Sequence, residues 1–270
     1  MNPGPIIDDR MFVISQYNND TLGKKLQKFD EEMNSYAYET SDVWYEYVFV
    51  DGNGKSCQSR HMSKKFIAES TYDRWVEYGT LFGISRYSFV ALSGGEFGQM
   101  ILNAHMRTLY FQMFTLLLAY RATIIKFSDE IQDTTNATEN IAKKTREIYK
   151  KYLNFLNKLY FKEITAQDQG IELYNKAMQV MDIPKYMTDL DSEMNELHAY
   201  VDMLEEKKRN NKLDNISLYG GMLLGASVLT GIFGMNVGSS ENFSVWLVYP
   251  SLVLATWVGY KKFFKKEHHE

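Results

Sequence analysis

Apolar positions along the chain follow three different rhythms. From Met187 to Leu204 they fall at Met187, Leu190, Met194, Leu197, Val201 and Leu204, alternately three and four apart. That is the seam of a helix packed against other helices. Ile141, Ile148, Tyr152, Phe155 and Leu159 are compatible with the same rhythm, and Ile171, Tyr174, Met178 and Met181 supply a third helix. These stripes read as packing surfaces rather than cofactor positions. Nearer the start, short alternating runs predict strands: "MFVISQY" (Met11–Tyr17), "WYEYVFVDG" (Trp44–Gly52) and "RYSFVAL" (Arg86–Leu92), with "DGNGKS" (Asp51–Ser56) as a hairpin-like connection. "QKFDEEMNSYAY" and "KKFIAESTYDRWVEYG" read as helical or irregular. Residues 1–93 are therefore expected to form a small α+β domain, and 94–185 a helical region.

The third regime has no charge at all. Asn215–Ser240, "NISLYGGMLLGASVLTGIFGMNVGSS", and Phe243–Tyr260, "FSVWLVYPSLVLATWVGY", contain no Asp, Glu, Lys or Arg. Crossing a hydrocarbon core takes roughly 18 to 20 residues. Both runs are apolar on every face, so they read as two transmembrane helices. "LYFQMFTLLLAY" (Leu109–Tyr120) is also apolar, but Arg107 and Arg121 bracket it, leaving a core helix too short to span. No Gly, Pro or turn cluster separates the Met187–Leu204 seam from the first span until Gly220. One helix from about Tyr186 to Phe233, about 70 Å long, would carry a stalk into the membrane. The expected divisions are stalk and first span 186–236, outer loop 237–242, second span 243–260 and basic tail 261–270.

Charge sets the orientation. Lys207, Lys208, Arg209 and Lys212 precede the first span, Lys261, Lys262, Lys265 and Lys266 follow the second, and Glu241 is the charge between them. Lys and Arg mark the cytoplasmic side, which places both termini in the cytoplasm of a plasma (inner) membrane. Trp246 and Trp257 suit the interfacial belts.

Overall composition changes the picture little. The chain has 270 residues, 30 Lys+Arg against 34 Asp+Glu, and a net charge of −4. It lacks the basic excess that nucleic-acid binding favours. The single cysteine, Cys57, allows neither an intrachain disulfide nor a multi-cysteine metal site. "MNPGPIIDDR" has no basic segment followed by an apolar one, so no signal peptide is expected. His61, His105, His198, His268 and His269 form no HExxH arrangement, and Asp8–Asp9 and Asp129–Glu130 sit in no recognisable active-site motif. No enzyme is expected.

The stalk, the two spans and "GMN" (Gly234, Met235, Asn236) closing the first resemble the CorA family of magnesium channels. Phe233 stands where the family commonly has Tyr or Phe, and the distance from Asn236 to Tyr249–Pro250 is family-like, as is the basic tail. The resemblance covers roughly residues 186–266. It implies a homopentameric funnel in the lipid bilayer, the first spans around a pore and the second outside them. Gly234, Met235 and Asn236 would form the outer mouth, where Asn236 binds hydrated Mg²⁺. Amide and carbonyl oxygens suit a cation that surrenders water reluctantly.

On the first span, Asn210, Leu213, Ser217, Gly220, Leu224, Ser227 and Gly231 fall on one stripe and are the candidate pore lining, with Leu213 and Leu224 as hydrophobic constrictions. Leu218, Met222, Leu229 and Ile232 face neighbours or lipid, and Gly221 with Gly225 forms a GxxxG packing pair. The outer loop "VGSSENF" departs from the family's acidic Met-Pro-Glu-Leu pattern; Glu241 falls near its Glu as a candidate for cation recruitment. Asp189, Glu193 and Glu196 share one stalk face, either a regulatory metal site between subunits or a solvated charged face.

"DDRMFV" (Asp8–Val13), "GTLFGISRYSFVAL" (Gly79–Leu92) and "FKEITAQDQGIELY" (Phe161–Tyr174) resemble a divergent CorA-like branch that accompanies type III CRISPR systems. That resemblance implies an antiviral effector whose cytoplasmic part binds a nucleotide messenger of the adenylated S-adenosylmethionine type. "SGGEFGQ" (Ser93–Gln99) follows a predicted strand and opens a helix, where backbone amides hold phosphate well. Gly94, Gly95 and Gly98, with Arg86, are the candidate nucleotide-binding residues, and Arg107 and Arg121 are further phosphate candidates. The stretch lacks the Lys-Ser/Thr of a P-loop and full GxGxxG spacing, and a plain strand-to-helix turn is the alternative.

Overall fold

The computed structural model of the chain describes residues 10–137 and 140–234, with side chains described as far as Leu224 and at Ser227. The expected outer loop (237–242), second span (243–260) and basic tail (261–270) lie outside these residues, as do Met235, Asn236 and Glu241. The elements run β1 (Val13–Asn18), α1 (Asp20–Leu26), β2 (Phe29–Asp30), β3 (Ser35–Tyr36), α2 (Asp42–Phe49), α3 (Arg60–Ser70), β4 (Thr71–Tyr72), β5 (Leu81–Ile84) and β6 (Ser88–Ser93). Helices follow: a π-helical turn (Phe97–Leu102), α4 (Asn103–Arg107), α5 (Leu109–Thr135), α6 (Ile141–Lys158), α7 (Asp168–Val180) and α8 (Ile183–Gly234). The architecture is α+β, as expected.

Four strands form the central sheet in the order β1-β6-β5-β4. β1 runs parallel to β6, Val13 opposite Ser88 and Asn18 opposite Ser93, while β5 is antiparallel to both β6 and β4. Every residue of β6 is buried, because helices cover both faces of the sheet. On one face Phe82, Ile84, Phe89 and Ala91 pack against α4, α5 and the helices beyond; on the other Leu81, Val90 and Leu92 pack with Leu26, Trp44, Val48 and Ile67 of α1 to α3. Phe89 stacks on Phe114 of α5 with ring centroids 4.2 Å apart. Trp44 is fixed on the opposite face by its Nε1, which donates to Thr71 Oγ1 at 2.9 Å.

Among the described residues, one continuous helical stretch, Phe97–Thr135, is long and apolar enough to cross a membrane. Met113, Leu117, Tyr120, Ile124 and Phe127 make its buried stripe, four and three apart, with Phe114 beside Met113, and belong to the same core as the sheet. The expected stripes of the following helices recur in part: Leu159, past the end of α6, is 56% exposed, and Ile141 and Ile171 are half-buried. Ile148, Tyr152 and Phe155 of α6, Tyr174, Met178 and Met181 around α7, and Met187, Leu190, Met194 and Leu197 of α8 are buried in that core.

The chain divides into two compact units, the first ending at His198 and the second beginning at Ala199. α8 is one 52-residue helix, opening with Pro184 in its first turn after Asp182 at φ 56° and ending at Gly234. Within the second unit, Leu213, Ile216, Tyr219, Leu223 and Leu224 are all exposed, Leu223 to 72%.

Three expectations are corrected. "WYEYVFVDG" is mostly helix α2, not a strand. Ser41 Oγ caps it by accepting from the Trp44 amide at 3.2 Å, and burial falls at Trp44, Tyr45 and Val48, a helical spacing. A strand would have put Glu46 on the same face as Trp44 and Val48. "DGNGKS" consequently joins two helices rather than two strands, Asp51 Oδ2 accepting from the Ser56 amide at 2.8 Å. "RYSFVAL" becomes a strand only from Ser88. Arg86 and Tyr87 form the tight turn back from β5, closed by Ser85 N–H to Ser88 O at 2.9 Å.

Candidate functional site

The two parallel strands β1 and β6 end side by side at Asn18 and Ser93. After β1 the chain turns onto one face of the sheet as α1, whose Leu26 packs with Val90 and Leu92. After β6 it crosses to the other face, where Leu102 and Met106 pack with Phe89 and Ala91. Neighbouring parallel strands whose following helices take opposite faces leave a crevice at their carboxyl ends, the usual ligand position in open sheets.

Side-chain amides organise this crevice. Gln16 Nε2 donates to Gly98 O at 2.6 Å and to Ser93 Oγ at 3.2 Å, while Asn18 Nδ2 donates to Gly95 O at 3.4 Å. The turn needs its glycines for close approach. A Cβ on Gly94 would sit 2.2 Å from Asp20 Oδ1, and one on Gly98 would sit 2.3 Å from Asn18 Oδ1 and 2.4 Å from Ser93 Oγ. Asp20 Oδ1 accepts from the Gly95 amide at 2.6 Å. A carboxylate of the chain itself thus takes the place at this amide where an anionic ligand would bind. A cavity of about 630 Å³ opens beside the turn, bordered by Gln16, Asn18, Gly98, Gln99, Asn103 and Arg107. Its amides and the Arg107 guanidinium offer polar contacts on one side, while Ile14, Met106 and Phe111 give it an apolar wall.

Gly94, Gly95 and Gly98 are therefore brought together at one end of β6, whereas Arg86 stands at the other end, roughly 20 Å along the strand. There its guanidinium lies over the Tyr186 ring at 5.7 Å, donates to the Tyr186 hydroxyl, and comes within 3.9 Å of the Asp182 carboxylate. Arg121 Nη1 donates to Arg86 O at 3.1 Å. Arg86, Arg121 and Tyr186 line a separate cavity of about 420 Å³ together with Asp189 and Glu193 of α8. Glu196 accepts from Ser192 Oγ at 3.5 Å. Among the described residues, no three His, Cys, Asp or Glu side chains of this chain stand close enough to hold a metal.

Of the candidate pore stripe, Asn210, Leu213, Ser217, Leu224 and Ser227 are exposed on α8, Gly220 is half-buried, and Gly231 lies on the same helix backbone. Ser227 Oγ donates back to Leu224 O at 2.9 Å, the usual way a helical serine satisfies its hydroxyl. Gly234 closes the helix.

One group was not anticipated from the sequence. Trp75, Tyr78 and Phe97, with Thr80, Gly94 and Gln169, border a cavity of about 380 Å³ on the other side of the glycine turn. Gln169 is held from two sides, its Oε1 accepting from Trp75 Nε1 at 3.1 Å and its Nε2 donating to the Tyr110 hydroxyl at 3.1 Å. Burial pushes the Tyr110 phenol up to about 12, so it stays protonated at neutral pH. Next to it Glu172 accepts from Arg74 Nη1 at 2.6 Å and from the Tyr72 hydroxyl. The Tyr72 bond, then that of Arg74, holds the Glu172 carboxyl below its ordinary value. The clue was the pair of aromatics three apart in "RWVEYG", in a segment with no buried stripe for them to join.

Comparison of the chain with protein-family models, curated proteins and solved structures gives no match.

Proposed function

We propose that this chain is a two-span membrane channel of the CorA type, passing Mg²⁺ or another divalent cation down its electrochemical gradient as a homopentamer. The observation that carries the reading is the exposed apolar surface of α8. Leu213, Ile216, Leu223 and Leu224 are exposed to 55, 67, 72 and 68%, on a helix that carries no charge from Asn215 to Gly234. Water does not support such a surface, and lipid or neighbouring copies would. The stripe Asn210, Leu213, Ser217, Gly220, Leu224, Ser227 and Gly231 then lines the pore, and Gly234, Met235 and Asn236 form its mouth, with Glu241 recruiting cations. Asp189, Glu193 and Glu196 would sense intracellular Mg²⁺ only across a subunit boundary. Both termini lie in the cytoplasm.

A second reading adds a signal to the same frame: an antiviral effector whose pore opens when a nucleotide messenger binds the first unit. It is favoured by the crevice at the ends of β1 and β6, a ligand position that a purely homeostatic channel does not require.

Flux of Mg²⁺ through purified protein in liposomes tests both. Wild-type protein is expected to conduct, and Asn236→Ala to lose conduction or selectivity while still assembling. Equal, equally selective flux from Asn236→Ala would remove the mouth assignment, and absence of any divalent flux, with or without adenylated S-adenosylmethionine, would end the channel reading. Flux that falls as internal Mg²⁺ rises and ignores the messenger favours homeostasis. A pore shut until the messenger is added favours the effector.

A further inference from the structure

β1 is an end strand of the sheet, and its outer edge carries an unpaired row of backbone groups. The order β1-β6-β5-β4 gives it one neighbour. Val13 N–H donates to Tyr87 O and Asn19 N–H to Ser93 O, both at 2.8 Å, so the odd-numbered residues face β6. A residue's N–H and C=O leave a strand on the same side, and that side alternates along the strand. Ile14, Gln16 and Asn18 therefore turn theirs away from the sheet. Among the described residues, none of these three amides has a backbone partner.

Edge strands are ordinarily blunted by charge, proline or shortness. The opposite edge follows that rule: β4 has two residues and runs directly into Asp73 and Arg74. β1 has six, and no charge or proline interrupts the chain from Met11 to Asn19. An edge of that length and composition pairs readily with a further strand.

The cavity of about 630 Å³ runs along this edge, bordered by Ile14, Gln16 and Asn18. Its other wall is helical. Gln99, Asn103, Arg107 and Phe111 recur every fourth residue from the π-helical turn into α5, and all four border the cavity. This wall runs antiparallel to β1, because Gln16 Nε2 donates to Gly98 O at one end while Phe12 stacks on Phe114 at the other, centroids 5.6 Å apart. The groove is thus polar beside Asn18, cationic at Arg107 and aromatic beside Ile14. Arg107 is exposed and, among the described residues, has no ion-pair partner.

An extended chain matches both walls. Four helical residues advance about 6 Å and two strand residues about 6.7 Å, so successive wall positions meet alternate side chains of an added strand. Its backbone would complete the row at Ile14, Gln16 and Asn18, an apolar side chain would lie on Phe111, and a carboxylate two residues away would meet Arg107. A compact anion would satisfy Arg107 and leave the row unpaired.

We propose that the outer edge of β1 takes an extended, acidic segment of a partner protein as a fifth strand of the sheet, its carboxylate on Arg107. The proposal rests on neither the channel nor the effector reading.

The test is fluorescence anisotropy of a labelled, capped peptide, Thr-Val-Thr-Glu-Thr-Val-Thr, titrated with full-length protein in detergent. Its pattern reads alike in both directions along the edge. Saturable binding is expected, and replacing the central Glu by Lys should weaken it about 5- to 30-fold, since an exposed attraction becomes a repulsion. Arg107→Glu should reverse that preference, which a merely structural role for Arg107 would not do. N-methylation of one alternate set of peptide amides should abolish binding, and of the other set should spare it. Absence of saturable binding, equal binding of the Glu and Lys peptides, or indifference to both N-methylated sets would overturn the proposal. Peptide binding that declines as the protein is concentrated would give the edge to a second copy of this chain, and would overturn it too.

Discussion

The helix that covers the sheet, α5, and the long helix α8 are both rich in Leu, Met and aromatic residues, yet their apolar side chains meet different surroundings. On α5, Phe114 and Leu117 are fully buried, and even Arg121 is 5% exposed, its Nη1 donating to a backbone carbonyl in the β5–β6 turn. On α8 the apolar side chains from Leu213 to Leu224 remain exposed. Hydropathy alone ranks α5 as a membrane candidate; what separates the two is whether the fold supplies a partner for the apolar stripe. A chain can hold one apolar helix as core and reserve another for lipid or for copies of itself.

The comparison breaks most visibly at the core. Phe114→Ala should destabilise the first unit by about 3–5 kcal/mol, read by denaturant unfolding, because a ring at 0% exposure stacked on Phe89 leaves a cavity behind. A loss well under that would mean α5 is not the sheet's cover. Leu223→Arg should leave that unfolding midpoint in place and impair membrane insertion, at about 3 kcal/mol for a charge near the bilayer centre. Insertion equal to wild type would remove the distinction between the helices.

Two smaller effects sharpen it within the first unit. Gly98→Ala brings a methyl against Asn18 Oδ1 and Ser93 Oγ, side-chain atoms that can turn away, and should cost about 1 kcal/mol by the same measurement. The least effect comes from Glu172, whose folded carboxyl titrates below the ordinary value of 4.5. Its contribution is present above that value and fades as pH falls through the lower folded one. Thermal melts between pH 5 and pH 3 should therefore show wild type losing stability that Glu172→Gln, already lacking the charge, does not lose further.

The helical half of the fold was legible because burial on one stripe imposes a rhythm that sequence carries directly: Met187, Leu190, Met194 and Leu197 all lie in the core. The sheet was harder. β6 was read as a strand within Arg86–Leu92, but β5 beside it is buried at every position, so Leu81–Ile84 lacks the alternation that marks a half-buried strand and was overlooked. α2 misled because Trp44, Tyr45, Tyr47, Val48 and Phe49 favour strands by type, while the Ser41 cap and the sheet behind them fix a helix. At the site, the glycine turn was visible from its spacing. The aromatic cavity was not, since Phe97 and Gln169 reach Trp75 and Tyr78 only through tertiary contacts.

The contrast between the two helices is tested most directly by sidedness. In a Cys57→Ser background, Phe111→Cys, on an exposed position of α5, and Ser239→Cys, beyond the end of α8, would be labelled with a membrane-impermeant maleimide on intact cells and on inverted vesicles. We expect Ser239→Cys to react only from outside the cell and Phe111→Cys only from the cytoplasmic side. Labelling of both from the same side would contradict a membrane crossing between them.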